Sequence, residues 1–207
     1  MVNIGILGNV NVGKTTILRL FVKYVKEDLI NKVEGGVPCE IVKTDFSGES
    51  VQNPESAEKG TKTITPNKVV FKEVESGKNH ALFAPGGDKE RPVIKMGIIT
   101  ISRIAREIIT VVAADQPLKE QFEFFDEIRH FPKSIIVTFN KWDLVKKEDR
   151  EKLLNDLKEK VTEYFRKRKI EIRDFYTTCA EDEIPNSKQL NDNVCKMILD
   201  IALNSKD

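Results

Sequence analysis

The chain has 207 residues, and 40% of them are hydrophobic, enough to bury a single core. Its 34 Lys and Arg nearly balance its 33 Asp and Glu, so strong general attraction to nucleic acid or to an anionic membrane is not expected. Cys39, Cys179 and Cys195 form no C-x-x-C pair, which argues against a metal centre or disulfide framework and favours a reducing, cytoplasmic setting.

The first part of the chain predicts a strand, a helix, a long loop and a hairpin. The apolar run Val2–Leu7 predicts a strand, and the spacing of apolar residues over 15–33 predicts a helix. Residues from about 34 to 65 are polar and lack periodicity, which predicts a long loop. Residues 68–75 and 80–83 flank a turn signal and predict a β-hairpin.

The rest of the chain alternates between helical and strand patterns. Helices are predicted at 92–106, 118–130, 149–167 and 188–203, and strands at 107–114, 134–139 and 170–176. Such alternation predicts an α/β fold with a mostly parallel sheet, one antiparallel edge strand and helices on both faces. No repeat or second hydrophobic unit is evident, so residues 1–207 are expected to form one domain.

The eight residues that directly follow the first strand match the phosphate-binding pattern G-x-x-x-x-G-K-[ST] in full, and a predicted helix follows them. Backbone N–H groups and the helix N-terminus are expected to bind phosphate oxygens. Lys14 would contact the β- and γ-phosphates, Thr15 would ligate Mg²⁺, and Thr16 would contact the α-phosphate. The loop consists of Gly8, Asn9, Val10, Asn11, Val12, Gly13, Lys14 and Thr15. ATPases, kinases and GTPases share this loop, so it does not select the base.

The tetrapeptide 140–143, with sequence N-K-W-D, directly follows the strand predicted at 134–139. The carboxylate of Asp143 could accept hydrogen bonds from N1–H and the 2-amino group of guanine. Adenine has no donors at these positions and would leave the carboxylate unpaired. Asn140 is expected to brace the loop, and the stem of Lys141 to lie over the base plane. The tetrapeptide therefore favours guanine.

Together and in this order, the two motifs resemble those of the Ras-like small GTPases, P-loop NTPases of the translation-factor-related class. The resemblance covers essentially the whole chain. It implies a six-stranded sheet, GTP or GDP with Mg²⁺, and one G domain whose first switch loop spans about 34–65. The run Thr178-Cys179-Ala180 resembles the fifth motif of the family, in which the Ala180 N–H would contact guanine O6 and Cys179 replaces the usual Ser.

The resemblance also implies a threonine in the first switch that completes the Mg²⁺ shell and senses the γ-phosphate. Thr63 fits this position best, and Thr61 and Thr65 are the alternatives. The threonine is expected to act together with Lys14, which faces the same phosphates.

The second switch follows the family only in part. Pro85-Gly86 fits the pattern, and the Gly86 N–H would face the γ-phosphate. However, Phe83 stands where the family has Asp, and Gly87 stands where a Gln or His orients water. Loss of the Asp resembles a prokaryotic branch of gliding-motility and cell-polarity GTPases, which is the branch expected here. Hydrolysis is expected to be slow without a partner.

Two other functions remain open at this point. The chain could hold GTP or GDP as a non-hydrolysing scaffold. Asp115 ends an apolar strand, so a P-loop ATPase or kinase is the less favoured alternative. The expected partners are an effector, an activating protein and an exchange partner, but no nucleic acid. Residue 2 is Val and the last residues contain no prenylation box, so no intrinsic membrane anchor is expected.

Overall fold

A computed structural model describes residues 1–46, 64–180 and 187–204. Within these ranges seven strands form one sheet, in the order β2-β3-β4-β1-β5-β6-β7. The strands are β1 (Val2–Leu7), β2 (Cys39–Asp45), β3 (Asn67–Glu73), β4 (Asn79–Ala84), β5 (Glu107–Ala113), β6 (Ser134–Asn140) and β7 (Glu171–Thr177). The helices are α1 (Lys14–Lys26), α2 (Pro92–Ile104), α3 (Leu118–Asp126), α4 (Arg150–Lys167) and α5 (Lys188–Asn204).

The predicted α/β class with a mostly parallel sheet is confirmed. Strands β4, β1, β5, β6 and β7 are parallel, whereas β3 pairs antiparallel with both β4 and β2. Strands β5 and β6 are almost entirely buried, because helices cover both faces of the sheet there. Helices α1 and α5 pack on one face, and α2, α3 and α4 pack on the other.

The expected strand count of six was wrong, and the long loop predicted over about 34–65 is interrupted by strand β2. Strand β2 lies inside that range, at the edge of the sheet, with all seven of its residues at least partly exposed. It carries too few apolar residues to show a clear alternation, because only one neighbouring strand and part of one face cover it. The segment forms a strand through its backbone pairing with β3.

The helix predicted over 15–33 ends earlier, at Lys26. Asp28 adopts a left-handed backbone conformation with φ of 57°, and the Leu29 N–H donates to the Tyr24 carbonyl at 2.9 Å. A left-handed residue closes a helix, since the following N–H turns back onto the last turn. A short 3₁₀ turn, Ile30–Lys32, follows.

The parallel strands bring their carboxyl ends to one edge of the sheet. The loops that follow β1, β4, β5, β6 and β7 all leave from this edge. Open α/β sheets bind ligands in the crevice outside such ends. The motifs singled out in the sequence follow β1, β4, β6 and β7, so the fold collects them at one place.

Candidate functional site

The loop between β1 and α1 is shaped by two left-handed residues, Asn11 with φ of 59° and Gly13 with φ of 93°. A Cβ at Gly13 would collide with the side-chain amide of Asn140. A Cβ at Gly8 would press against the carbonyl oxygen of Val111 in β5. Glycine is therefore required at both positions by the close approach of neighbouring strands and loops.

The ammonium group of Lys14 lies inside this loop. Only 6% of the residue is exposed. Its Nζ donates to the carbonyl oxygens of Gly8 at 2.8 Å and Asn9 at 2.7 Å. Burial lowers the pKa of Lys14 to about 7. The two carbonyls carry no formal charge, so the buried cation is electrostatically suited to an incoming anion.

The hydroxyl of Thr15, at the start of α1, accepts a hydrogen bond from Nδ2 of Asn67 at 3.1 Å. Asn67 is the first residue of β3 and is completely buried. Its Oδ1 is also buried and has no hydrogen-bond partner among the described residues. Sequence reasoning missed Asn67, because a single asparagine just before a strand pattern carries no spacing signal.

Asn140 lies at the end of β6 and contacts two other loops. Its Nδ2 donates to the Val12 carbonyl at 2.9 Å. Its Oδ1 accepts from the hydroxyl of Thr178 at 2.9 Å, and that hydroxyl lies 2.9 Å from the hydroxyl of Thr138. All of these groups are buried. The loop between β1 and α1, the N-K-W-D loop and the segment after β7 are thus held in one hydrogen-bonded network.

The remaining residues of the N-K-W-D segment lie beside the segment after β7. Lys141 is left-handed, with φ of 61°, and its Nζ lies 2.8 Å from Oδ2 of Asp115. The Trp142 N–H donates to the Thr178 carbonyl at 3.0 Å. Asp143 is half-buried in the short 3₁₀ turn Trp142–Leu144. Its side chain is therefore still accessible to a ligand.

Cys179 and Ala180 directly follow Thr178 and are both 2% exposed. Ala180 is left-handed, with φ of 59°. Because Thr178 bonds to both Asn140 and Trp142, these residues lie next to the N-K-W-D loop.

The segment after β4 lies against the loop between β1 and α1. A Cβ at Gly87 would collide with the backbone of Asn9 and Val10, so no side chain fits there in this conformation. Gly86 is buried next to it. Both glycines line a small cavity together with residues of the first loop and the start of α1, namely Val10, Asn11, Gly13, Lys14, Thr15 and Thr16.

Phe83 does not face Thr15. The register pairs Lys68 with Phe83 and Asn67 with Ala84, so Phe83 and Asn67 project from opposite faces of the sheet. The Phe83 ring packs with the α2–α4 side of the core, and Nζ of Lys68 lies 5.3 Å from its centroid.

Of the candidate switch threonines, Thr61 and Thr63 lie outside the described residues. Thr65 is described and exposed, two residues before Asn67. Among the described ranges no group of three or more His, Cys, Asp or Glu could hold a metal ion, and no helix is long and apolar enough to span a bilayer.

The chain shares its fold with solved GTP-binding elongation factors. SelB from Methanococcus maripaludis, in complex with the GTP analogue GppNHp, matches with a TM-score of 0.58 and 15% identity, over 100% of this chain and 34% of that one. A bacterial selenocysteine-specific elongation factor, EF-Sec, matches with a TM-score of 0.55 and 17% identity, over 95% and 28%. A variant of SsGBP matches with a TM-score of 0.50 and 19% identity, over 99% and 57%.

These matches show the fold, which this chain shares with the solved elongation factors. This chain spans about a third of the length of the two elongation factors. No protein-family model and no curated protein matches its sequence. The narrower expected resemblance to gliding-motility GTPases finds no support in these matches.

Proposed function

We propose that the chain is a single guanine-nucleotide-binding domain that acts as a switch between GTP-bound and GDP-bound states. The observation that carries this proposal is the side chain of Asn140, which bonds to Val12 in one loop and to Thr178 beside another. A nucleotide ligand needs its base and phosphate sites at a fixed separation. The buried network of Asn140 supplies a rigid link between two such sites.

The phosphate end of the proposed site is the loop between β1 and α1. Its N–H groups and the N-terminus of α1 favour an anion. Lys14 is buried without a formal counter-charge among its bonded carbonyls, and a polyphosphate would provide one. Thr16 lines the same cavity and would contact the α-phosphate. Gly86, across the cavity, would offer its N–H to the γ-phosphate.

The base end is the N-K-W-D loop with the segment after β7. Asp143 would accept from guanine N1–H and the 2-amino group, and the Ala180 N–H would donate to O6. Cys179 completes the buried turn beside them. The stem of Lys141 would lie over the base, with its ammonium group held by Asp115. Pairing with Lys141 also gives Asp115 a role other than metal binding, which weakens the ATPase or kinase alternative.

Mg²⁺ fits the phosphate end of the site. This ion keeps several waters and takes few protein ligands, using substrate phosphates for the rest of its shell. The hydroxyl of Thr15 would be one protein ligand, and the buried Oδ1 of Asn67, which has no partner among the described residues, lies close to it. When bound, Mg²⁺ would neutralise charge on the β- and γ-phosphates. We propose Thr63, in the first switch, as the second protein ligand of Mg²⁺.

Hydrolysis by this domain would be slow. Gly87 has no side chain to orient water, and its close approach to the loop between β1 and α1 leaves no room for a side chain. An activating protein would therefore supply an arginine or position the water, as in other GTPases that depend on partners. An effector and an exchange protein complete the expected set of partners. The second candidate is a scaffold that binds GTP or GDP without hydrolysing it, which the same glycine favours.

The test is to extract and identify the nucleotide that copurifies with the protein, and then to measure phosphate release from GTP. Bound GDP or GTP supports the proposal, whereas bound ADP or ATP contradicts it. Slow phosphate release over several turnovers supports the switch. No release over many hours, with GTP retained intact, supports the scaffold.

A further inference from the structure

Three observations on Asn67 bear on the phosphate end of the proposed site. It is completely buried at the first position of β3. Its Nδ2 bonds to the hydroxyl of Thr15 at 3.1 Å. Its Oδ1, equally buried, has no partner among the described residues. A buried amide oxygen without a donor is unfavourable, and such an atom in a folded protein needs an explanation such as a missing ion or ligand.

The surrounding strands explain why this polar group comes from β3. The family pattern would place a carboxylate at Phe83, but that ring packs on the other face of the sheet, beside Lys68. The residue of β4 that shares the face of Asn67 is Ala84, its partner in the register. Ala84 has no polar group to offer Thr15. The amide next to Thr15 is therefore supplied by the neighbouring strand.

We propose that Asn67 is a positioning residue for a hydrated divalent cation bound at Thr15. This inference rests on the proposed nucleotide site. The hydroxyl oxygen of Thr15 has two lone pairs, and the Nδ2–H of Asn67 uses one of them. This contact restrains the rotation of the hydroxyl group that would ligate the cation. The Oδ1 of Asn67 is left to accept a hydrogen bond from a water molecule in the shell of the cation.

An amide differs from a carboxylate in its charge. Both accept a hydrogen bond, but only the carboxylate adds an attractive charge close to the cation. Asn67 therefore orients the cation without strengthening its binding through a full negative charge. The domain should need more Mg²⁺ to retain its nucleotide than the same protein with Asn67→Asp.

The test follows the release of fluorescently labelled GDP at increasing Mg²⁺ concentration. The half-slowing concentration is the Mg²⁺ concentration at which the rate of GDP release is reduced by half. For Asn67→Ala we expect it to rise by about tenfold or more, as for other groups that orient metal ligands. The release rate in EDTA should change by less than about twofold, since the amide acts through the cation. For Asn67→Asp the half-slowing concentration should fall. The control is Asn191→Ala, at another buried asparagine, in α5, that bonds to Ser187, and it should leave that concentration unchanged.

An unchanged Mg²⁺ dependence in a folded Asn67→Ala variant would overturn the inference and leave the proposed function intact. If circular dichroism shows that Asn67→Ala does not fold, Asn67→Asp decides alone. An unchanged Mg²⁺ dependence of GDP release in that variant would contradict the role of Asn67. If the unaltered protein binds no labelled GDP even in EDTA, the proposed function itself fails, and this inference fails with it.

Discussion

The side-chain amide of Asn140 donates to the carbonyl oxygen of Val12 at 2.9 Å, although the two residues lie on separate loops. The same side chain accepts from Thr178, so one buried residue holds three loops together. Gly13 has no Cβ where this amide passes, and any larger residue would displace it. The geometry between the proposed phosphate and base sites therefore depends on a glycine in one motif and an asparagine in the other.

We predict that Asn140→Ala weakens both stability and nucleotide binding. The change leaves the Val12 carbonyl and the Thr178 hydroxyl without this partner in a buried setting, which should cost about 1–3 kcal/mol of unfolding free energy. Urea denaturation and titration with GDP measure the two effects. Asn155→Ala, at an exposed position of α4, is the matched control and should change neither. Equal behaviour of the two variants would refute the bridging role.

We predict that GDP binding is accompanied by proton uptake. Burial holds the pKa of Lys14 near 7, so at about pH 8 the free protein carries this group largely neutral. Bound phosphates favour the charged form and raise the pKa, so binding should take up close to one proton. Calorimetric titrations in two buffers of different ionisation enthalpy measure this uptake. Lys14→Met should bind weakly and abolish it, and a buffer-independent enthalpy in the unaltered protein would count against the prediction.

The same lowered pKa affects the stability of the nucleotide-free protein. The folded pKa of Lys14 lies near 7 and the unfolded value near 10.5, so the unfolded chain binds more protons between them. The contribution of Lys14 to stability should therefore rise with pH across this window. Lys14→Met removes the contribution, and urea denaturation at several pH values would show a flatter profile. An identical profile in the variant would contradict the assignment.

We predict that Gly87→Gln does not restore fast hydrolysis. The added Cβ would collide with the backbone of Asn9 and Val10, so the loop must move away before the side chain can face the phosphates. Single-turnover phosphate release should stay within about threefold of the unaltered protein, and the nucleotide-free variant should unfold at lower temperature. Gly77→Ala, in the turn between β3 and β4 where only the end of the Lys72 side chain approaches, is the control for a glycine substitution away from this loop. Acceleration by a factor of ten or more would show that the loop is free to move.

We predict that His80 makes the protein less stable in mild acid. The imidazole is 2% exposed, stacks on Phe71 with centroids 5.1 Å apart, and has no hydrogen-bond partner for either nitrogen among the described residues. Burial lowers its pKa, so the unfolded chain binds the proton more readily and stability falls as pH drops through about 6.5. In urea titrations between about pH 7.5 and 5.5, His80→Phe should reduce this fall. His130→Phe, at an exposed site, should not, and equal slopes would refute the prediction.

Much of this architecture could be predicted from apolar periodicity. Strands β5 and β6 are continuous apolar runs, and α4 has a clear helical stripe, because burial on two faces or on one imposes those patterns. Strand β2 could not be predicted, since an exposed edge strand depends on backbone pairing more than on side-chain burial. The motif loops could be placed because their glycines, lysine and asparagine occur at fixed spacings along the chain.

Asn67 could not be found in this way. Its importance comes from a contact across 52 positions of sequence, and the pattern just before it singles out the threonines rather than the asparagine. The sequence also showed that Phe83 breaks the family pattern, but it could not show which strand supplies a polar group in its place. That required the register of β3 against β4, which sets Asn67 and Phe83 on opposite faces.

The proposed selection of guanine by this site is tested most directly by calorimetric titration of the nucleotide-free protein with GDP and with ADP, both with Mg²⁺. The carboxylate of Asp143 should gain two hydrogen bonds with guanine and none with adenine. We predict that GDP binds at least about a hundredfold more tightly than ADP, since each charge-assisted bond contributes about 1.5–3 kcal/mol. Equal affinities, or tighter binding of ADP, would contradict the account.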